Sequence, residues 1–77
     1  MAKLASPGMR LSARNQLAGS VVSVTHGSVM STVTIRLGGG DEVVASITKD
    51  SAEALGLAVG DHVHAVIKAT DVMVGKE

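Results

Sequence analysis

Hydrogen-bond donors are unusually dense in one segment near the start of the chain, Ser12-Ala13-Arg14-Asn15-Gln16. Arg14 carries a permanently charged planar guanidinium, and Ser12 offers a hydroxyl on the same side of an extended chain. An anion can bind such a pair, but an exposed edge segment with a solvated arginine has the same composition. Taken alone, the segment is therefore interpreted as ordinary surface.

Two further groups of donors follow along the chain. Thr48 and Ser51 lie at the start of a predicted helix, beside backbone N–H groups that have no partner within the helix and that favour an anion. Simple helix capping explains these two hydroxyls equally well. Lys68-Ala69 lies at the end of a predicted strand, where a lysine is usually solvated or protects a sheet edge. Both groups are candidates for anion binding and no more.

Three other patterns point to different chemistry, and each has a simpler explanation. His62 and His64 have the spacing that lets two imidazoles reach one metal ion, but no third ligand type is near in sequence, so a surface or interface pair is favoured. The triplet Gly38-Gly39-Gly40 lacks the Gly-Lys-Ser/Thr of a phosphate loop and fits a hairpin turn. No segment resembles a nucleophile elbow, so we expect no enzyme activity.

Composition limits the size and the partners of the protein. The 77 residues are 45% apolar and carry a formal net charge of zero, which indicates one small domain that buries only about 60% of its unfolded surface. Phe, Tyr, Trp and Cys are absent, so the core is aliphatic and has no disulfide or thiolate-metal link. We therefore expect stabilisation by oligomerisation.

The same composition argues against nucleic acid and membrane as partners. A neutral chain gains little from counterion release on a phosphate backbone, and a chain without aromatic residues has no stacking platform for bases. No apolar run approaches the length of a signal peptide or a membrane span. We expect a cytoplasmic location.

Short β-branched runs alternate with turn residues, which predicts a small all-β domain. One short helix is predicted over Lys49–Leu55; Thr48, Asp50 or Ser51 can cap its start, and Gly56 marks its end. This order favours a five-stranded OB-like Greek-key barrel with one short helix over a sandwich. The predicted strands span residues 19–25, 29–37, 43–48, 63–67 and 71–74. Residues 1–8 are expected to be a flexible N-terminal extension and residues 9–77 the single domain.

Four segments together carry a family resemblance: residues 11–17 (LSARNQL), 45–51 (ASITKDS), 55–57 (LGL) and 66–72 (VIKATDV). They resemble the molbindins, small molybdate-binding proteins built from the Mop type of TOBE domain. The resemblance covers roughly residues 9–76, and Ser-Ala-Arg-Asn-Gln is its most specific motif. It implies a five-stranded OB-like barrel, an assembly of six subunits arranged as a trimer of dimers, and oxyanion sites between subunits.

The resemblance also implies which residues hold the oxyanion. Ser12 and Arg14 would form one side of an intersubunit site, completed from the neighbouring chain or from the same barrel. The implied set comprises Ser12, Arg14, Thr48, Ser51, Lys68 and the backbone of Ala69. Related proteins also have a second class of site, which would lie near the turn at residues 26–29. No residues are assigned to it here, because Ser28 and Met30 stand where the family commonly has alanine and asparagine.

Physical chemistry is consistent with this implication. Molybdate at neutral pH is a fully deprotonated tetrahedral dianion, so its site needs donors and positive charge with no carboxylate pointing inward. Arg14 and Lys68 would supply two positive charges against two negative ones. The resemblance thus implies non-enzymatic binding, storage and homeostasis of molybdate or tungstate. The alternative is a molybdate-sensing regulatory module that acts through a protein partner.

Overall fold

The computed structural model describes residues 11–77, so the expected N-terminal extension, residues 1–8, lies outside the described residues. Four strands and one α-helix form the domain, and a 3-10 helix follows the last strand. Their bounds are β1 Asn15–His26, β2 Met30–Leu37, β3 Glu42–Thr48, α1 Lys49–Leu55, β4 His62–Ile67 and the 3-10 helix Ala69–Asp71. None of the helices in this part of the chain has the length and apolar character needed to span a membrane.

The four strands form one antiparallel sheet in the order β3-β2-β1-β4, curled into a half-barrel. β1 is long because it serves two partners: its first half pairs with β4, from Asn15 opposite Ile67 to Ser20 opposite His62. Its second half pairs with β2 as far as His26, and a bulge interrupts this register just after Val21. β1 therefore holds the two halves of the fold together.

Gly19 lies at the point where β1 is paired with both β2 and β4. A Cβ atom here would lie 2.6 Å from the carbonyl oxygen of Arg36 and 2.7 Å from Cγ2 of Ile35. Real side chains do not approach a backbone oxygen so closely. The close packing of β1 against β2 therefore requires glycine at this position.

The core is small and aliphatic, as the composition predicts. Val21, Val33, Ile35 and Ala65 form its buried centre. The side chains of β2 alternate, because its inward face is buried or half-buried while most of its opposite face is exposed. The buried polar side chain of this strand, Ser31, has its hydroxyl 2.7 Å from Nδ1 of His26 and is thus satisfied.

The predicted helix Lys49–Leu55 is confirmed, and Thr48 is the residue that caps it. Gly56 ends the helix in the left-handed conformation at φ 63°, where glycine has no steric cost. Asp50 and Ser51, the other two capping candidates, lie inside the first turn of the helix.

Two strand predictions are wrong. The fifth strand expected at residues 71–74 is absent from the described chain, so the sheet has four strands rather than five. The 3-10 helix turns the backbone after Lys68, and Met73 and Val74 beyond it are 93% exposed. The first strand begins at Asn15 rather than residue 19, because pairing with β4 extends it toward the N-terminus.

Candidate functional site

Ser12 and Arg14 lie where the sequence places them, on the exposed side of an extended segment. Ala13 between them is buried, at 8% exposure, whereas both flanking side chains are exposed. Burial of this one methyl group therefore fixes which way the hydroxyl and the guanidinium face. Both donors point away from the core of their own chain.

Asn15 fixes the position of this segment against β4. It pairs with Ile67 in the sheet, and its side-chain Nδ2 also donates a hydrogen bond to the Ile67 carbonyl oxygen at 3.1 Å. The residues just outside this last pair are Arg14 and Lys68, so two cations lie at the same end of the β1–β4 ladder. Sequence reasoning gave Asn15 no role, although its place inside the donor-rich motif was a usable signal.

No carboxylate within residues 11–77 neutralises these two cations. The ion pair found in this part of the chain joins Arg36 to Glu42, with Nη2 of Arg36 2.5 Å from Oε2 of Glu42. Arg14 and Lys68 are exposed and take part in no such pair. Within residues 11–77, the end of the β1–β4 ladder thus carries two cations that form no ion pair, and such cations attract anions.

The backbone after Lys68 adds a donor without adding charge. The 3-10 helix uses the carbonyl groups of Lys68 and Ala69, which accept from Asp71 N at 2.9 Å and Val72 N at 3.3 Å. The N–H of Ala69 lies at the start of that helix and has no hydrogen-bond partner among residues 11–77. An N–H group at the start of a helix is free to bind a ligand or water.

Thr48 and Ser51 form a second, separate group at the start of α1. Oγ1 of Thr48 accepts a hydrogen bond from Ser51 N at 3.1 Å and donates to Ser51 Oγ at 2.8 Å. The Ser51 hydroxyl hydrogen therefore remains available to a ligand. Both residues are exposed, and Thr48 pairs with Met30 at the far end of β3.

Capping at Thr48 leads to a testable prediction. Thr48→Ala removes the oxygen that accepts from Ser51 N and should lower the free energy of unfolding by about 1 kcal/mol, as measured by urea denaturation. Thr48→Ser keeps that oxygen and should retain most of the stability. If the serine variant loses as much as the alanine variant, the methyl group and not the cap is the stabilising feature.

The six predicted site residues thus fall into two groups within one chain. Ser12, Arg14, Lys68 and Ala69 lie at one end of the β1–β4 ladder, and Thr48 with Ser51 lies at the end of β3. No hydrogen bond joins one group to the other in the described residues. Each group presents its donors outward.

Known proteins resemble this chain in sequence and in fold. The TOBE domain model matches residues 11–74. The chain belongs to the TOBE domain family. A relative of this TOBE domain, the probable molybdenum-pterin-binding protein of Haemophilus influenzae, is 48% identical over 69 residues, which cover 90% of this chain and 100% of the relative.

Two solved structures resemble this TOBE domain closely. The molybdate-binding protein of Sporomusa ovata superposes with a TM-score of 0.83 at 41% identity, covering 88% of this chain and 100% of that one. The cytoplasmic molybdate-binding protein ModG, with molybdate bound, gives a TM-score of 0.78 at 46% identity over 84% of this chain and 46% of that one. The resemblance to the molbindins is confirmed, as is a mostly β, OB-like fold with one short helix.

Proposed function

We propose that this TOBE domain is a non-enzymatic cytoplasmic protein that binds the molybdate or tungstate oxyanion for storage and homeostasis. Its relatives are named for binding molybdate or a molybdenum pterin, and ModG is described as cytoplasmic. The observation that carries the proposal is the pair of cations Arg14 and Lys68, which form no ion pair within residues 11–77, beside the N–H of Ala69, which has no partner there. We also propose that residues 9–77 are the binding domain.

The proposed site uses donors and positive charge alone. A tetrahedral dianion without protons accepts hydrogen bonds on every oxygen and offers none, so hydroxyl, amide, guanidinium and ammonium groups suit it. The proposed ligands are Ser12, Arg14, Thr48, Ser51, Lys68 and the backbone N–H of Ala69. Phosphate usually keeps one proton at neutral pH, and among the proposed ligands only the hydroxyl groups can accept a hydrogen bond from it.

The anion is proposed to lie between subunits. The two groups of donors face outward from one chain and share no hydrogen bond there, so a second copy can present one group to the other. Assembly also covers exposed apolar side chains, among them Met73 and Val74 at 93% exposure, and compensates for the thin core. The proposed assembly is a homo-hexamer, a trimer of dimers.

Calorimetry with molybdate, sulfate and phosphate tests this function. Molybdate should bind at least about tenfold more tightly than either other anion, a difference of 1.4 kcal/mol or more. Native mass spectrometry of the same samples should show six chains with bound anions. Equal, weak binding of all three anions contradicts the function, and anion bound to single chains contradicts the intersubunit site.

A further inference from the structure

Two of the three histidines of the chain lie side by side on the outer face of β4. His62 and His64 are both exposed and alternate with the half-buried Val63 and the buried Ala65. Their Cα atoms are about 7 Å apart, since a strand rises about 3.3 Å per residue, and both side chains leave the same face. The backbone thus presents two imidazoles to one region of solvent.

The neighbouring strand leaves room for an ion between and above these rings. Ser20 of β1 pairs with His62, and Ala18 pairs with His64, so small side chains lie opposite both. The two histidines, Ala18, Gly19 and Ser20 line a shallow depression of about 550 Å³. The hydroxyl of Ser20 lies 3.5 Å from Nδ1 of His62, and Nε2 of that ring has no hydrogen-bond partner among residues 11–77.

The charge that lines the same depression is already paired. Arg36 donates from Nε to Oε2 of Glu42 at 3.1 Å, and its Nη2 contacts the same oxygen. This neutralises the guanidinium locally and keeps it turned toward β3. The two imidazoles are therefore the side-chain groups of the depression that remain able to bind a ligand.

We propose that His62 and His64 form a two-histidine site for a divalent transition metal ion of the zinc and copper(II) class. Imidazole nitrogens bind these ions at about 2.0–2.1 Å, whereas magnesium and calcium require oxygen ligands. No third histidine or carboxylate of residues 11–77 joins the pair, so water completes the coordination. The proposal is independent of the oxyanion site, because it uses neither Arg14 nor Lys68.

The composition of the chain helps to distinguish metal binding at His62 and His64 from binding at other residues. There is no cysteine, and His26 is the one histidine outside the pair. Nδ1 of His26 is engaged at 2.7 Å with the buried Ser31 hydroxyl. His26 is therefore a matched internal control for any metal ion that binds to imidazole.

The test is a zinc titration of the full, untagged chain, followed by NMR of the imidazole groups. Zinc should shift the signals of His62 and His64 together and leave those of His26 in place. His62→Gln or His64→Gln should each lower the zinc affinity about tenfold or more, because a chelate becomes a single ligand. His26→Gln should keep the affinity of the unmodified protein.

Either of two results overturns the proposal: absence of saturable zinc binding, or unchanged affinity in His64→Gln. Molybdate calorimetry on His64→Gln should match the unmodified protein. A failure of zinc binding therefore leaves the oxyanion proposal standing, and a failure of molybdate binding leaves the metal site standing.

Discussion

Replacing Arg14 or Lys68 with alanine should weaken molybdate binding by about 2–5 kcal/mol, the usual cost of truncating one partner of a buried, charge-assisted contact. Each change removes one of two positive charges that would balance the dianion. Because the anion would be enclosed between subunits, solvent cannot replace the lost charge. Isothermal titration calorimetry at constant ionic strength measures the loss directly.

Lys76→Ala is the matched control for this experiment. Lys76 is exposed near the C-terminal end, and no ion pair within residues 11–77 includes it. Its removal changes the net charge as Lys68→Ala does, but it should leave the affinity almost unchanged. If all three variants lose the same small amount, the anion responds to overall charge, and neither Arg14 nor Lys68 touches it.

Arg14→Lys separates charge from geometry. Lysine keeps the positive charge but loses the planar fork that binds two oxygens of an oxyanion at once. An affinity between those of the unmodified protein and Arg14→Ala is therefore expected.

Elements that are determined by residues close together in the sequence could be predicted from the sequence. The helix Lys49–Leu55 and its end at the left-handed Gly56 depend on neighbouring residues and were predicted from the sequence, whereas Thr48 was one of three residues that could cap the start. The start of β1 was not predicted. It depends on pairing of Asn15 with Ile67, which lies 52 residues later.

The prediction of a fifth strand was wrong for a related reason. Residues 71–74 have the composition of a strand, but a strand needs a partner edge. Within this chain the backbone bonds that follow Lys68 form a 3-10 helix instead. The composition of a segment indicates its tendency to form extended backbone, but it does not show whether another strand lies close enough to pair with it.

The candidate site also has one part that the sequence predicts and one part that depends on long-range pairing. Residue types and a family motif were enough to select Arg14 and Lys68 as candidates. Their position at one end of a ladder depends on the β1–β4 register, and so does the part that Asn15 plays in holding that end. Long-range register is the information that a single sequence supplies least directly.

Gly19→Ala should lower the free energy of unfolding by about 3 kcal/mol, the upper part of the range for overpacking a close contact. Without these close contacts the opposite sign is expected. Replacing glycine with alanine normally raises the free energy of unfolding by about 0.4–1 kcal/mol, because it lowers the conformational entropy of the unfolded chain. The steric term decides, since the new Cβ would lie 2.6 Å from the Arg36 carbonyl oxygen and 2.7 Å from Ile35 Cγ2. Either the β1–β2 ladder or the Ile35 side chain must shift.

Gly38→Ala is the matched control for Gly19→Ala. Nothing lies within 4 Å of a Cβ at Gly38, and its backbone is not among the glycines with positive φ. The same substitution should therefore be neutral or slightly stabilising there. Urea denaturation of both variants is carried out at one protein concentration, because assembly makes the measured stability depend on concentration. A Gly19→Ala protein as stable as Gly38→Ala would mean that β1 and β2 are not packed as closely as the Gly19 contacts indicate.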